Sequence, residues 1–164
     1  MKTFNQEQTE TLVQGVKYLL TAVGDDPERT GLLETPERVI KAHAEIYAHT
    51  GETTFKDYKL FDTTDDADMV IVEDIPFYAM CEHHLLPFFG TIDVAYVPDG
   101  EVIGLSKIPR LVDWASRRPS VQENLTALIA DQMQRIVHPK GLAVNVTARH
   151  MCMEMRSEEH TSEL

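Results

Sequence analysis

The sequence predicts an α+β fold in which N-terminal helices precede an antiparallel sheet with two helices packed on one face. Apolar residues recur at helical spacing before Thr50 and again between Ser106 and Pro139. They follow strand patterns from Met69 to Ile103 and from Leu142 onward. The resulting order of helices, strands, two helices and a strand contains no regular βαβ alternation and no internal repeat, which suits an antiparallel sheet.

Asn5 is placed to cap a first helix with Leu12, Val16, Leu19, Leu20 and Val23 along one face, ended by Gly24-Asp25-Asp26-Pro27. Thr35-Pro36 reads as an N-cap followed by a first-turn proline, opening a helix with Val39, Ala42 and Ile46 inward that Thr50-Gly51 closes. Residues 52–68 are polar and acidic, a connection with room for one short strand. Met69-Val70-Ile71-Val72 is a β-rich run. Ile92, Val94 and Tyr96 alternate with Thr91, Asp93 and Ala95 before the turn Pro98-Asp99-Gly100 and a tight return through Val102 and Ile103. Ser106 is expected to cap a helix carrying Ile108, Leu111, Val112 and Ala115, which Arg118-Pro119 stops. The next helix starts at Ser120, buries Val121, Leu125, Leu128, Ile129 and Ile136, and stops at His138-Pro139-Lys140-Gly141. A last strand runs from Leu142 to about Arg156. The expected organisation is a helical segment, 1–50, forming one domain with a core, 51–156, and a tail, 157–164.

At 164 residues and 43% hydrophobic content the chain suits one globular domain. A net charge of −12 argues against nucleic-acid partners, because neutralising phosphates needs a surplus of Lys and Arg. No apolar run is long enough to span a membrane and the first residues lack a signal-peptide core, so a cytoplasmic location is expected. Two distant cysteines in a reducing compartment read as ligands or core residues before a disulfide. The cations are uneven: Lys107, Arg110, Arg117 and Arg118 share their stretch with a single acid, Asp113.

Cys81-Glu82-His83-His84 packs a thiol, a carboxyl and two imidazoles into four positions, and a C-x2-H spacing lets Cys81 and His84 reach one zinc ion. Period two along the last strand places His150, Cys152, Glu154 and Arg156 on one face, so Cys152 could complete a Cys-His-Cys set. Three protein ligands leave a fourth position for water, whereas a fourth ligand from His83 or His150 would close the site. Residue types alone leave both open. Each cysteine alone could equally be a small core residue. Ile103-Gly104-Leu105-Ser106-Lys107 brings a strand into a helix N-terminus, an anion site if Lys107 and Arg110 face it and an ordinary cap with solvated cations if they do not. Ser120-Val121-Gln122-Glu123 fits a capping box by default, while Gln122 and Glu123 side by side could instead read a guanine edge.

These residues resemble the GTP cyclohydrolase I family. The resemblance runs through Gly24-Asp25-Asp26-Pro27, Thr35-Pro36-Glu37-Arg38, Cys81-Glu82-His83-His84-Leu85-Leu86-Pro87-Phe88, Ile103-Gly104-Leu105-Ser106-Lys107-Ile108, Arg118-Pro119-Ser120-Val121-Gln122-Glu123 and His150-Met151-Cys152. It implies a T-fold and a homodecamer of two stacked pentamers with active sites between subunits. It implies zinc on Cys81, His84 and Cys152, proton transfer by His83 and His150, and triphosphate binding by Arg38, Ser106, Lys107, Arg110 and Arg156. Guanine would be held by Gln122 and Glu123, which displaces the capping-box reading. The implied reaction is attack of a zinc-activated water at C8 of GTP with His150 protonating N7. Ring opening, release of formate and formation of 7,8-dihydroneopterin triphosphate for folate-type pterin synthesis follow.

The chain departs from the family pattern at Ala79, where Ser is common, and after Arg156. Ser157-Glu158-Glu159-His160-Thr161-Ser162-Glu163-Leu164 does not resemble the family, and the run from Arg156 can be encoded by a common sequencing adapter. The expectation is a truncated chain with a foreign tail, an open sheet edge, and weakened assembly and activity. Two other readings stand beside the hydrolase. One is a non-catalytic zinc-stabilised assembly module. The other is a T-fold enzyme with Cys81 as nucleophile, as in the related nitrile reductases.

Overall fold

The computed structural model describes residues 2–64 and 67–156; the tail expected to be foreign, 157–164, lies outside them. The chain divides into two compact units, Met1–Ala48 and His49–Leu164.

The first unit holds α1 (Gln6–Ala22) and α2 (Thr35–Ile46). Asn5 caps α1 as expected: its side chain accepts from the Gln8 N–H at 2.8 Å while Gln8 Oε1 accepts from the Asn5 N–H at 3.0 Å, a reciprocal box. The chain leaves α1 through Gly24 at φ 92°, which a Cβ would strain. Leu12, Leu19 and Val23 remain exposed, so the apolar face forms as spaced but is not buried. Helix α2 starts one residue early: Glu34 is the cap and Thr35 the first helical residue, with no side-chain cap bond. Its buried line is Pro36, Ile40 and Ala44, and Ala42, expected inward, is exposed.

The second unit is built on a four-stranded sheet in the order β5-β2-β3-β6, from β2 (Val70–Cys81), β3 (Pro87–Val97), β5 (Pro119–Ser120) and β6 (Gly141–His150). β2 and β3 pair antiparallel, as do β3 and β6; the two-residue β5 runs parallel to β2. The first expected strand thus continues well past Val72. It does so over a bulge at Asp74, whose φ of 56° is held by its N–H donating to Asp93 Oδ1 at 2.9 Å. That bond, then one from Asn145, keeps the Asp93 carboxyl below its ordinary range. The return through β4 (Glu101–Ile103) does not join this sheet; it pairs with β1 (Leu60–Asp62) in a separate two-stranded ribbon.

Helices α3 (Lys107–Ser116) and α4 (Gln122–Val137) pack on the sheet through β2 and β6 respectively, covering one face. Ile108, Leu111 and Val112 of α3 and Leu125, Ile129 and Met133 of α4 are fully buried against Phe77, Phe88, Ile92 and Val94. Each such side chain removed from water contributes about 1.5–3 kcal/mol before entropy is subtracted. Gln132 is the buried polar exception: its Oε1 accepts from the Phe55 N–H at 2.8 Å and its amide donates to the Thr53 carbonyl at 3.3 Å. This bond pins the connection to the core, so Gln132→Leu orphans the Phe55 N–H. We expect a loss of about 1–3 kcal/mol in a denaturant titration, against no change if the bond is incidental.

The last strand stops six residues short of Arg156, at His150, and the chain turns into a helical turn, α5 (Met151–Glu154). The reason lies on β3. His150 is opposite Phe88, so the next rung would face Pro87. The Leu86 carbonyl accepts from the Cys81 N–H at 2.9 Å on the β2 side, which aims the nitrogen of residue 87 at β6, where proline has no hydrogen to give. No helix among the described residues is long and apolar enough to cross a membrane.

Candidate metal centre and its surroundings

Cys81 is the last residue of β2, and a tight turn follows it. The Leu85 N–H donates to the Cys81 carbonyl at 2.8 Å with Leu85 at φ 52°, an uncommon conformation for a leucine, which brings His84 back over Cys81. The Glu82 N–H donates to the Ser120 carbonyl at 3.0 Å and anchors the turn to β5. Cys81 Sγ and His84 Nδ1 are 3.9 Å apart. Cys152 arrives from the other end of the sheet on α5, so it is the helical turn and not strand periodicity that aims it. The donor atoms of Cys81, His84 and Cys152 all lie within 4.8 Å of one another, with both thiols buried and the imidazole exposed.

These positions fit a zinc ion. Zn–S near 2.3 Å and Zn–N near 2.0–2.1 Å in a tetrahedron put donors about 3.5–3.8 Å apart, a small contraction from the spacing seen. Both cysteines are free. Burial, then the Cys81 thiol beside it, holds the Cys152 thiol above its ordinary pKa, with the Arg156 charge opposing. A metal binding there must therefore release protons.

The other two histidines stand outside the trio. His83 is exposed, with Nε2 3.8 Å from the Glu82 carboxylate. His150 stacks on buried Phe88, ring centroids 5.1 Å apart and planes 3° from parallel, and its Nε2 lies 2.8 Å from Gln122 Oε1. The Gln122 amide nitrogen donates to the Val146 carbonyl at 3.0 Å.

Ser120 is paired with Cys81 in the sheet, and the cap of α4 is Val121 without a side-chain bond, so the capping box does not form. Glu123 is exposed in the first turn of α4. Ser106 likewise does not cap α3: it sits in helical geometry with no side-chain cap bond, and its hydroxyl is exposed. Lys107 Nζ and Arg110 both pair with Asp57, at 2.5 and 2.8 Å, and these two cations, Lys107 first, hold the Asp57 carboxyl below its ordinary range. Asp57 was not legible as a site residue, because nothing in the polar connection marks one acid among several. A cavity of about 740 Å³ lies beside this pair, lined by Glu52, Asp57, Arg110 and Trp114 among others; the three metal donors do not line it. Arg156 follows α5, half-buried. Arg38 belongs to the first unit, exposed on α2 and paired with Glu34.

The family model for GTP cyclohydrolase I matches residues 12–164. A GTP cyclohydrolase 1 of Latilactobacillus sakei is 57% identical over 96% of this chain and 88% of its own length. One from Lactiplantibacillus plantarum is 58% identical over 93% of this chain and 79% of its own. The bifunctional protein FolKE of Lactococcus lactis subsp. cremoris is 54% identical over 92% of this chain and 44% of its own length. With a trio of metal donors where the sequence spaced them and a match over nearly its whole length, this chain belongs to the GTP cyclohydrolase I family.

Proposed function

We propose that the chain is a zinc-dependent GTP cyclohydrolase I. It hydrolyses the guanine imidazole ring of GTP at C8, releases C8 as formate and forms 7,8-dihydroneopterin triphosphate for folate-type pterin synthesis. The observation that carries this reading is the convergence of Cys81, His84 and Cys152 in a chain of that family. Zinc in such a site would supply a water of pKa about 7 as the nucleophile.

The chain's own groups bind and move protons. Neither His83 nor His150 belongs to the trio, which leaves both for proton transfer, with His150 serving N7. Glu123, exposed at the start of α4, accepts two guanine N–H groups, with Gln122 beside it. Lys107 and Arg110, with Ser106, Arg38 and Arg156, hold the triphosphate. Asp57 balances the first two cations until phosphate replaces it. The assembly is a homodecamer of two stacked pentamers with active sites between subunits, in the cytoplasm, where the two thiols stay reduced. Exposed Leu12, Leu19 and Val23 on α1 and Ile71 and Tyr78 on β2 leave apolar surface for such contacts.

The test is formate and fluorescent pterin released from GTP before and after chelation. Turnover that stops with the metal and returns with zinc supports the reading, and GTP left intact by the zinc-loaded protein refutes it. Arg110→Ala should raise KM for GTP about tenfold with kcat little changed, since a charge-assisted bond to phosphate contributes roughly 1.5–3 kcal/mol. Unchanged KM in steady-state kinetics would remove Arg110 from the phosphate site.

A further inference from the structure

We infer that Gln122 is a positioning residue that commits Nε2 of His150 to a fixed hydrogen bond and so makes Nδ1 the atom through which His150 exchanges protons with substrate. The inference rests on the reading of this chain as a GTP-opening enzyme and adds to it an assignment at the level of atoms.

The Val146 carbonyl, 3.0 Å from the Gln122 side chain, has only lone pairs to offer, so the Gln122 NH₂ must face it. That orientation leaves Oε1 as the atom 2.8 Å from His150 Nε2. An amide oxygen only accepts, so His150 Nε2 carries hydrogen. A neutral imidazole has one such hydrogen, and Nδ1 then holds the free lone pair. In the imidazolium Nδ1 carries the second proton while the bond from Nε2–H to Gln122 is unchanged. A proton can therefore enter and leave at Nδ1 without disturbing the contact. Among the described residues Nδ1 has no hydrogen-bond partner.

The other constraints on the ring agree. His150 is opposite Phe88 in the β3–β6 register, and the two rings stack almost parallel, which fixes the imidazole plane. Rotation within that plane is what remains, and the Gln122 bond stops it. Gln122 is the first residue of α4 and Val146 lies four residues before His150 on β6, so one side chain ties the start of the helix to the strand that carries the histidine. The Gln122 amide keeps one hydrogen and one lone pair, enough to touch guanine as well. The two roles separate in kinetics: loss of a guanine contact raises KM, whereas loss of the imidazole orientation lowers kcat.

The experiment compares zinc-loaded wild type with Gln122→Met, close in shape but without the bonds, and Gln122→Glu, which keeps an acceptor for Nε2–H. Solid-state ¹⁵N spectra of histidine-labelled protein, with His150 assigned by its loss in His150→Gln, should show the Nε2–H form in wild type and a mixture in Gln122→Met. Outer partners of site histidines typically affect function by 10–100-fold, so Gln122→Met should lose kcat on that order with KM within about threefold and zinc content intact. Gln122→Glu should retain the Nε2–H form and recover at least part of kcat. An Nδ1–H form in wild type, or a Gln122→Met variant with raised KM and unchanged kcat, would overturn the assignment. If wild type releases no formate from GTP, the reading of the enzyme fails, and the ¹⁵N spectrum still decides the assignment of the proton.

Discussion

Cys152→Ser should remove bound metal and formate release together. The serine hydroxyl is not ionised at neutral pH, and Cys81 and His84 are left as a two-donor site, too few for a catalytic zinc. With the metal gone the attacking water returns from a pKa of about 7 towards that of bulk water, so a loss on the order of a thousandfold or more is expected. Metal analysis on the same samples that are assayed separates the alternatives. Metal lost with the fold intact and formate release retained would mean that the chemistry runs elsewhere. Metal retained with the protein inactive would favour a thiol with its own covalent role. The geometry argues against that role, because both cysteines and His84 converge on one point.

Gly90→Ala should be among the most damaging single changes to the fold. Gly90 lies opposite Ala148 in the β3–β6 pairing, and a Cβ there would sit 1.9 Å from the Thr147 carbonyl oxygen and 2.9 Å from its carbon. Both are backbone atoms, so no side-chain rotation relieves the clash and β6 itself must move. A loss of about 3–5 kcal/mol is expected, the range reserved for a named structural break. His150 and Cys152 follow Ala148 closely, so metal binding should weaken in parallel. A melting midpoint within about two degrees of wild type would show that β6 accommodates the methyl group, and this account of the sheet would be wrong.

The metal donors were legible because their chemistry is concentrated in a few residues: a C-x2-H pair and a second cysteine near the end of the last strand. The path of the chain at Cys152 was not. Alternation of apolar residues up to Ala148 invites an extension of the strand to Arg156, and the signal against it, Pro87 opposite the next rung, is visible only once the register is known. Ser106 and Ser120 failed as caps for a related reason. A serine before a helical run is an N-cap by local preference, but Ser120 is held by pairing with Cys81 and Ser106 by a helical backbone. Buried partners chosen by tertiary contact, such as Gln132 with Phe55, leave no periodic trace. The same is true of Asp57 with Lys107 and Arg110, and of Gln122 with His150.

The most direct measurement is X-ray absorption at the zinc edge on active, zinc-loaded protein. The account predicts two sulfur donors at about 2.3 Å, one imidazole nitrogen at about 2.0–2.1 Å and one further light atom without imidazole scattering, the open position that turnover requires. A second imidazole would make this a closed structural site, and fewer than two sulfurs would place the metal away from Cys81 and Cys152; either result would contradict it.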